Sequence, residues 1–210
     1  MATPRQLTET DQANGALAEI GEPSIASLDD PKRKAARECK KQFAAVRDAL
    51  LATADWQFAR TSCTPPATGS QPNAAYLYRY LMPADCISVR ELRGLRDEEW
   101  ETSSPADAAS ALVLDVSAVA PFVWYTRRVE NPALWNPLFA QVFQLLLAAK
   151  VNPLVGRDKS LTMTLAQRAR IALDKTETRD AQQRSSQSVS GDVSWIGARG
   201  GFPRRVHRFW

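Results

Sequence analysis

The side chains that could do chemistry in this chain are few, and they are scattered. The one histidine, His207, stands in the run RRVHRFW among arginines, with no carboxylate following it to orient an imidazole as a general base. A surface or interface position suits it better. Asp97, Glu98 and Glu99 form a run of acids that could be offered for sugar or peptidoglycan cleavage, which needs two carboxyl groups roughly 5 to 9.5 Å apart. Adjacent acids in a polar loop fit a solvated turn better. Cys39, Cys63 and Cys86 are widely spaced, with no C-x-x-C and no nearby histidine to complete a zinc set, so reduced thiols are expected. No phosphate-binding G-x-x-x-x-G-K, no G-x-G-x-x-G and no H-E-x-x-H is present. Catalysis, a metal and a cofactor are therefore not expected.

A different set of residues stands out at the end of the chain. The run WIGARGGFPRRVHRFW carries Trp195, Arg199, Phe202, Arg204, Arg205, His207, Arg208, Phe209 and Trp210 among glycines and a proline that break regular structure. Two roles suit such a segment. As a nucleic-acid arm its arginines would contact phosphates and its rings would stack on bases. As a docking peptide the same rings and arginines would anchor in pockets of a protein partner. Charge separates the two. The formal net charge is +4, and residues 194–210 hold four arginines and no acid, so residues 1–193 are balanced. A body without excess basic charge favours docking, since a nucleic-acid arm usually extends a basic face.

The elements that must carry this tail are read from periodicity. Residues 8–20 place Ala13, Ala16, Leu17 and Ile20 on one helical face, with Thr8 or Thr10 as cap and Gly21 and Pro23 as the stop. In SLDDPKRKA, Asp29 or Asp30 is expected to cap a second helix with Pro31 at its first position. Ala36, Cys39, Phe43, Val46 and Leu50 then form its apolar stripe. Residues 61–73 read as a linker. AYLYRYLMP, CISVREL, ALVLDVS and FVWYTRRV read as four strands of one small antiparallel sheet, interrupted by an acidic loop over 96–110 and a turn near Ala120 and Pro121.

NPALWNPLFAQVFQLLLAAK reads as a third helix, with Leu134, Leu138, Val142, Leu145 and Ala149 on one face and Trp135, Phe139 and Leu146 widening it. Asn152, Pro153 and Gly156 end it. Asp158 or Ser160 starts a fourth helix that faces inward through Leu161, Leu165, Ala169, Ala172 and Leu173 and turns polar beyond Asp174. Trp56 with Phe58, and Trp124 with Tyr125, read as core or sheet-face aromatics. The 14-residue apolar run 138–151 is shorter than the roughly 20 residues a membrane span needs. The polar opening MATPRQLTETDQ lacks an apolar signal core, so a product made in the cytoplasm, without membrane association, is expected.

The expected fold is α+β, mainly α: an antiparallel helical bundle from 1–60 and 130–186, a β-sheet subdomain inserted at 61–129, and an extended C-terminal docking arm at 187–210. The order of motifs adds a resemblance. NGALAEIGEPSIASLDD, the Leu50-Leu51 pair, the Trp-x-Phe-Ala close at 56–59, YRYLMPADCISVREL and VENPALWNPLFAQVFQLLLAAKV are similar to the head-to-tail adaptors of short-tailed bacteriophages, the tail tubular protein A family. The resemblance covers about residues 10–180. It implies a structural virion protein of the phage neck with no enzymatic activity. A ring of copies, twelve to match the portal, would join the portal protein to the tail tube or nozzle, with a tail fibre or tailspike as a further contact. DNA would pass through without sequence-specific binding. Two alternatives from other classes are a virion-associated peptidoglycan hydrolase acting through Glu98 or Glu99, and a DNA-binding accessory protein acting through the tail arginines.

Overall fold

The computed structural model describes residues 7–104, 112–156 and 158–183, without the side chains of Glu98 and of residues 177–183. The chain is a mixed α+β protein. Its order is α1 (Glu9–Glu19), α2 (Lys34–Thr53), β1 (Arg60–Cys63), β2 (Tyr78–Leu81), β3 (Cys86–Leu92), β4 (Trp100–Ser103), β5 (Val113–Val116), β6 (Val123–Arg127), α3 (Pro137–Val151) and α4 (Lys159–Gln183).

Local chemistry accounts for most helix ends. At α1, Thr8 Oγ1 accepts the Asp11 N–H at 3.2 Å while Asp11 Oδ2 accepts the Thr8 N–H at 3.0 Å, a reciprocal cap. Gly21, at φ 72°, turns the chain out, and the Glu22 N–H reaches back to the Leu17 carbonyl at 3.0 Å. α2 departs from expectation. It begins at Lys34 after Arg33, which supplies no side-chain cap, because Asp30 instead accepts the Lys32 N–H and Asp29 pairs with the Lys40 ammonium. The acids are used one turn early, so Pro31 stays in the preceding loop. α3 also begins later than expected, at Pro137 behind the Asn136 cap, and Pro132–Leu134 is a separate 3-10 turn capped by Asn131. Leu134 is consequently 55% exposed and does not belong to the core face.

The helices share one core. Ala36, Cys39, Phe43, Val46 and Leu50 of α2 are all buried, as are Ala13, Ala16 and Leu17 of α1 and Leu165 and Ala169 of α4, around an α3 that is buried on most sides. Phe139 is its hub: fully buried, it meets Trp56 at 4.9 Å, Phe58 at 5.0 Å and Trp135 at 5.1 Å between ring centroids, mostly edge to face. Both buried indoles keep their hydrogen bonds, Trp56 Nε1 to the Leu50 carbonyl and Trp135 Nε1 to the Val129 carbonyl. Gln144 donates to Gln12 Oε1 at 2.8 Å across α1 and α3, and Gly15 makes room for that amide.

The single sheet expected from the sequence is two antiparallel three-stranded sheets, ordered β1-β6-β3 and β2-β5-β4. The two extra strands are β1, inside the expected linker, and β4, inside the expected acidic loop. Both are four residues long at sheet edges, too short and too polar to show a period of two. Val89, Leu92, Val123 and Tyr125 of the first sheet and Tyr80, Met82, Leu114 and Val116 in and beside the second enclose a separate small core. Ala120, at φ 50°, turns the chain between β5 and β6, and the Tyr80 hydroxyl accepts its N–H.

Candidate functional site

All nine tail residues singled out by sequence, Trp195, Arg199, Phe202, Arg204, Arg205, His207, Arg208, Phe209 and Trp210, lie outside the described residues. Within the described residues, polar chemistry gathers at three places: the seam between helices and sheet, the outer face of β5, and the Asp97–Glu99 turn.

The seam is built on arginine. Arg90, on β3, donates through Nη2 to the carbonyls of Leu51 at 3.1 Å, Ala52 at 3.0 Å and Ala54 at 2.8 Å, and through Nε to Thr126 Oγ1 at 2.8 Å. Those carbonyls end α2 and have no partners within the helix, so the guanidinium satisfies them and sits at the negative end of the helix dipole. Around it, Arg128 bonds Asp48 at 3.0 Å and Arg60 bridges Asp55 and Glu91, each at 2.9 Å. The Arg60 guanidinium also lies 4.9 Å from the centre of the Trp124 ring. Fixed directional bonds of this kind set the angle at which the sheet layer meets the helices. The sequence showed the charges but not the partners, which are up to 80 residues apart.

On β5, Asp115 is 1% exposed and accepts two hydrogen bonds from Arg79, Nε to Oδ1 and Nη2 to Oδ2, both at 2.7 Å. The Asn73 backbone N–H adds a third at 3.1 Å. Arg79 beside it, with Asn73, holds the carboxyl below its ordinary range, against the opposing effect of burial. The pair pins the 64–76 segment over the sheet, where the Pro66 carbonyl and the Thr68 N–H also extend the ladder of β2. This arrangement is structural.

Asp97–Glu99 is a 3-10 turn in which Glu99 Oε2 accepts the Arg96 N–H at 2.6 Å. Glu99 also lines an open cleft with Tyr76, Leu95, Val116 and Ser117, and it is the only carboxylate among the described lining residues. The side chain of Glu98 lies outside the described set. Asp97 and Glu99 are exposed, and the turn reads as the solvated one expected.

The thiols are all free. Cys39 faces the helical core, where burial raises its pKa to about 11. Cys86 is pushed up to about 12 and Cys63 is raised as well, in both cases by burial first and the Asp85 charge second. Tyr125, which donates to Asp85 Oδ1 at 3.3 Å, is raised to about 12 for the same two reasons. Protonated thiols are poor nucleophiles and poor ligands. Among the described residues no group of three or more His, Cys, Asp or Glu is placed to hold a metal ion, and no helix is long and apolar enough to cross a membrane. No protein-family model matches the chain, and no curated protein matches it.

Proposed function

We propose that this chain is a non-catalytic structural protein of a short-tailed phage, a head-to-tail adaptor found in the virion neck. Copies would form a ring between portal and tail tube or nozzle. The helices form the antiparallel bundle that packs side by side, the inserted β layer faces the next tail component, and residues 187–210 reach the portal. A heterologous contact, one face of each copy on a different face of the next, closes such a ring.

The observation that carries the reading is the ordered set of motifs together with where they meet. Trp56 and Phe58, from the Trp-x-Phe-Ala close, touch Phe139 from the Trp-x-Pro-x-Phe helix start, and Trp135 of the same motif completes the cluster. Residues about 80 positions apart in two motifs of the resemblance thus form one hub, which supports treating them as one signature rather than two coincidences. In the arm, Trp195, Phe202, Phe209 and Trp210 are anchors large enough to offset the entropy of ordering it, at about 150–250 Å² each.

Electron microscopy of the protein mixed with portal tests the reading: a stacked ring of matching symmetry is expected, and a protein that stays monomeric and unattached under assembly conditions refutes it. Deleting residues 194–210 should leave a folded protein that no longer binds portal. Normal assembly by the truncated chain would refute the docking role alone.

A further inference from the structure

The sequence is charge-balanced over residues 1–193, yet the fold concentrates cations at one end of the helical layer. Lys32 and Arg33 lead into α2, Lys34 and Arg37 lie in its first turn, Lys150 lies in the last turn of α3 and Lys159 begins α4, and all six are exposed. Lys34 Nζ donates to the Leu154 carbonyl in the turn between α3 and α4, which brings the three helix ends together. Asn152 Nδ2 reaches the Asp158 carbonyl and Thr162 Oγ1, closing the same corner.

These cations are not neutralised locally. Of the nearby acids, Asp29 is committed to Lys40 and Glu38 to Lys41. Among the described residues, Asp30 and Asp158 remain against the six cations, an excess of four. None of the six makes a carboxylate pair among the described residues, where the Arg37 guanidinium is held by the Pro31 carbonyl and the Lys34 ammonium by that of Leu154.

We infer that this end of the helical layer is a contact surface for the phosphate backbone of duplex DNA. The chemistry of the patch selects that partner. Leu154 and, one turn past Lys159, Met163 are the exposed large apolar side chains beside it among the described residues, and neither is aromatic, so it lacks the aromatic anchors that carry protein interfaces and the broad apolar face that inserts into a lipid surface. Clustered lysine and arginine without such anchors are suited to sequence-independent phosphate contacts. The six cations all lie outside residues 194–210, and the inference does not rest on the adaptor reading.

Fluorescence anisotropy of the full-length chain with a labelled duplex of about 20 base pairs and arbitrary sequence tests it over a salt series. About four phosphate contacts predict an affinity that falls on the order of 100-fold between roughly 50 and 200 mM salt. Combined Lys32→Gln, Arg33→Gln, Arg37→Gln and Lys159→Gln should remove most of that dependence with the circular dichroism unchanged. Combined Arg199→Gln, Arg204→Gln, Arg205→Gln and Arg208→Gln should leave it in place. The inference is overturned by absence of binding at low salt, by binding that follows the tail variant alone, or by tighter binding to poly-glutamate or phosphatidylserine vesicles than to the duplex.

Discussion

Replacing either member of the Arg79–Asp115 pair should cost the sheet layer far more than an ordinary surface change. Asp115 is 1% exposed in the middle strand of its sheet, and its two 2.7 Å bonds to Arg79 leave the Asn73 N–H as the one remaining donor the structure gives it. Arg79→Met therefore strands a buried carboxylate, and Asp115→Leu takes two short bonds from a guanidinium whose side chain is 15% exposed. Removing one partner of such a pair costs about 3–5 kcal/mol, with Asp115→Leu toward the lower figure because Arg79 can still turn to water. Removing both should cost about 1 kcal/mol, since well-packed apolar replacements of a buried pair are often neutral. The cycle then gives a coupling of at least about 5 kcal/mol. Urea unfolding at neutral pH followed by circular dichroism measures all four stabilities. Losses that simply add would show that the pair is not the buried unit described. The sign with pH follows from the depressed carboxyl. Its stabilisation is complete above the unfolded pKa of about 3.9 and is lost as pH falls through the lower folded value. Asp115→Leu should flatten that acid-side decline.

Phe139→Ala should lower stability by about 3–5 kcal/mol, because the ring is fully buried among three aromatics; a loss under 1 kcal/mol on urea unfolding would contradict the hub. Arg90→Lys keeps the charge but loses the fork that reaches three carbonyls, so a loss of about 1–2 kcal/mol is expected, and wild-type stability of the lysine variant would refute the directional role. The native thiols should react slowly with a disulfide reagent at neutral pH, faster as pH rises toward the values near 11 and 12 of Cys39 and Cys86, and fully in denaturant; rapid native labelling of Cys39 would contradict its burial.

The helices were legible because each repeats its apolar positions over several turns. The stripe Ala36, Cys39, Phe43, Val46 and Leu50 is buried as read, and so are the central positions Leu165 and Ala169 of α4. Their starts were less legible. An aspartate near a helix is a cap, a loop ligand or a salt-bridge partner, and in residues 29–33 the second and third uses prevail. The strands of the core were visible where β-branched and aromatic residues cluster. The edge strands Arg60–Cys63 and Trp100–Ser103 were not, since pairing rather than composition makes them strands.

By itself the sequence determined the mixed α+β order, the core faces of the helices and the charge balance of the body, because periodicity and composition are local properties that survive without a fold. Only the tertiary structure decided that there are two sheets rather than one, that Arg90 caps α2, that Asp115 and Arg79 are partners, and that six cations share one end. Those facts depend on which segments meet across tens of residues. One-dimensional charge arithmetic sums over such meetings, and a balanced total can hide a basic end.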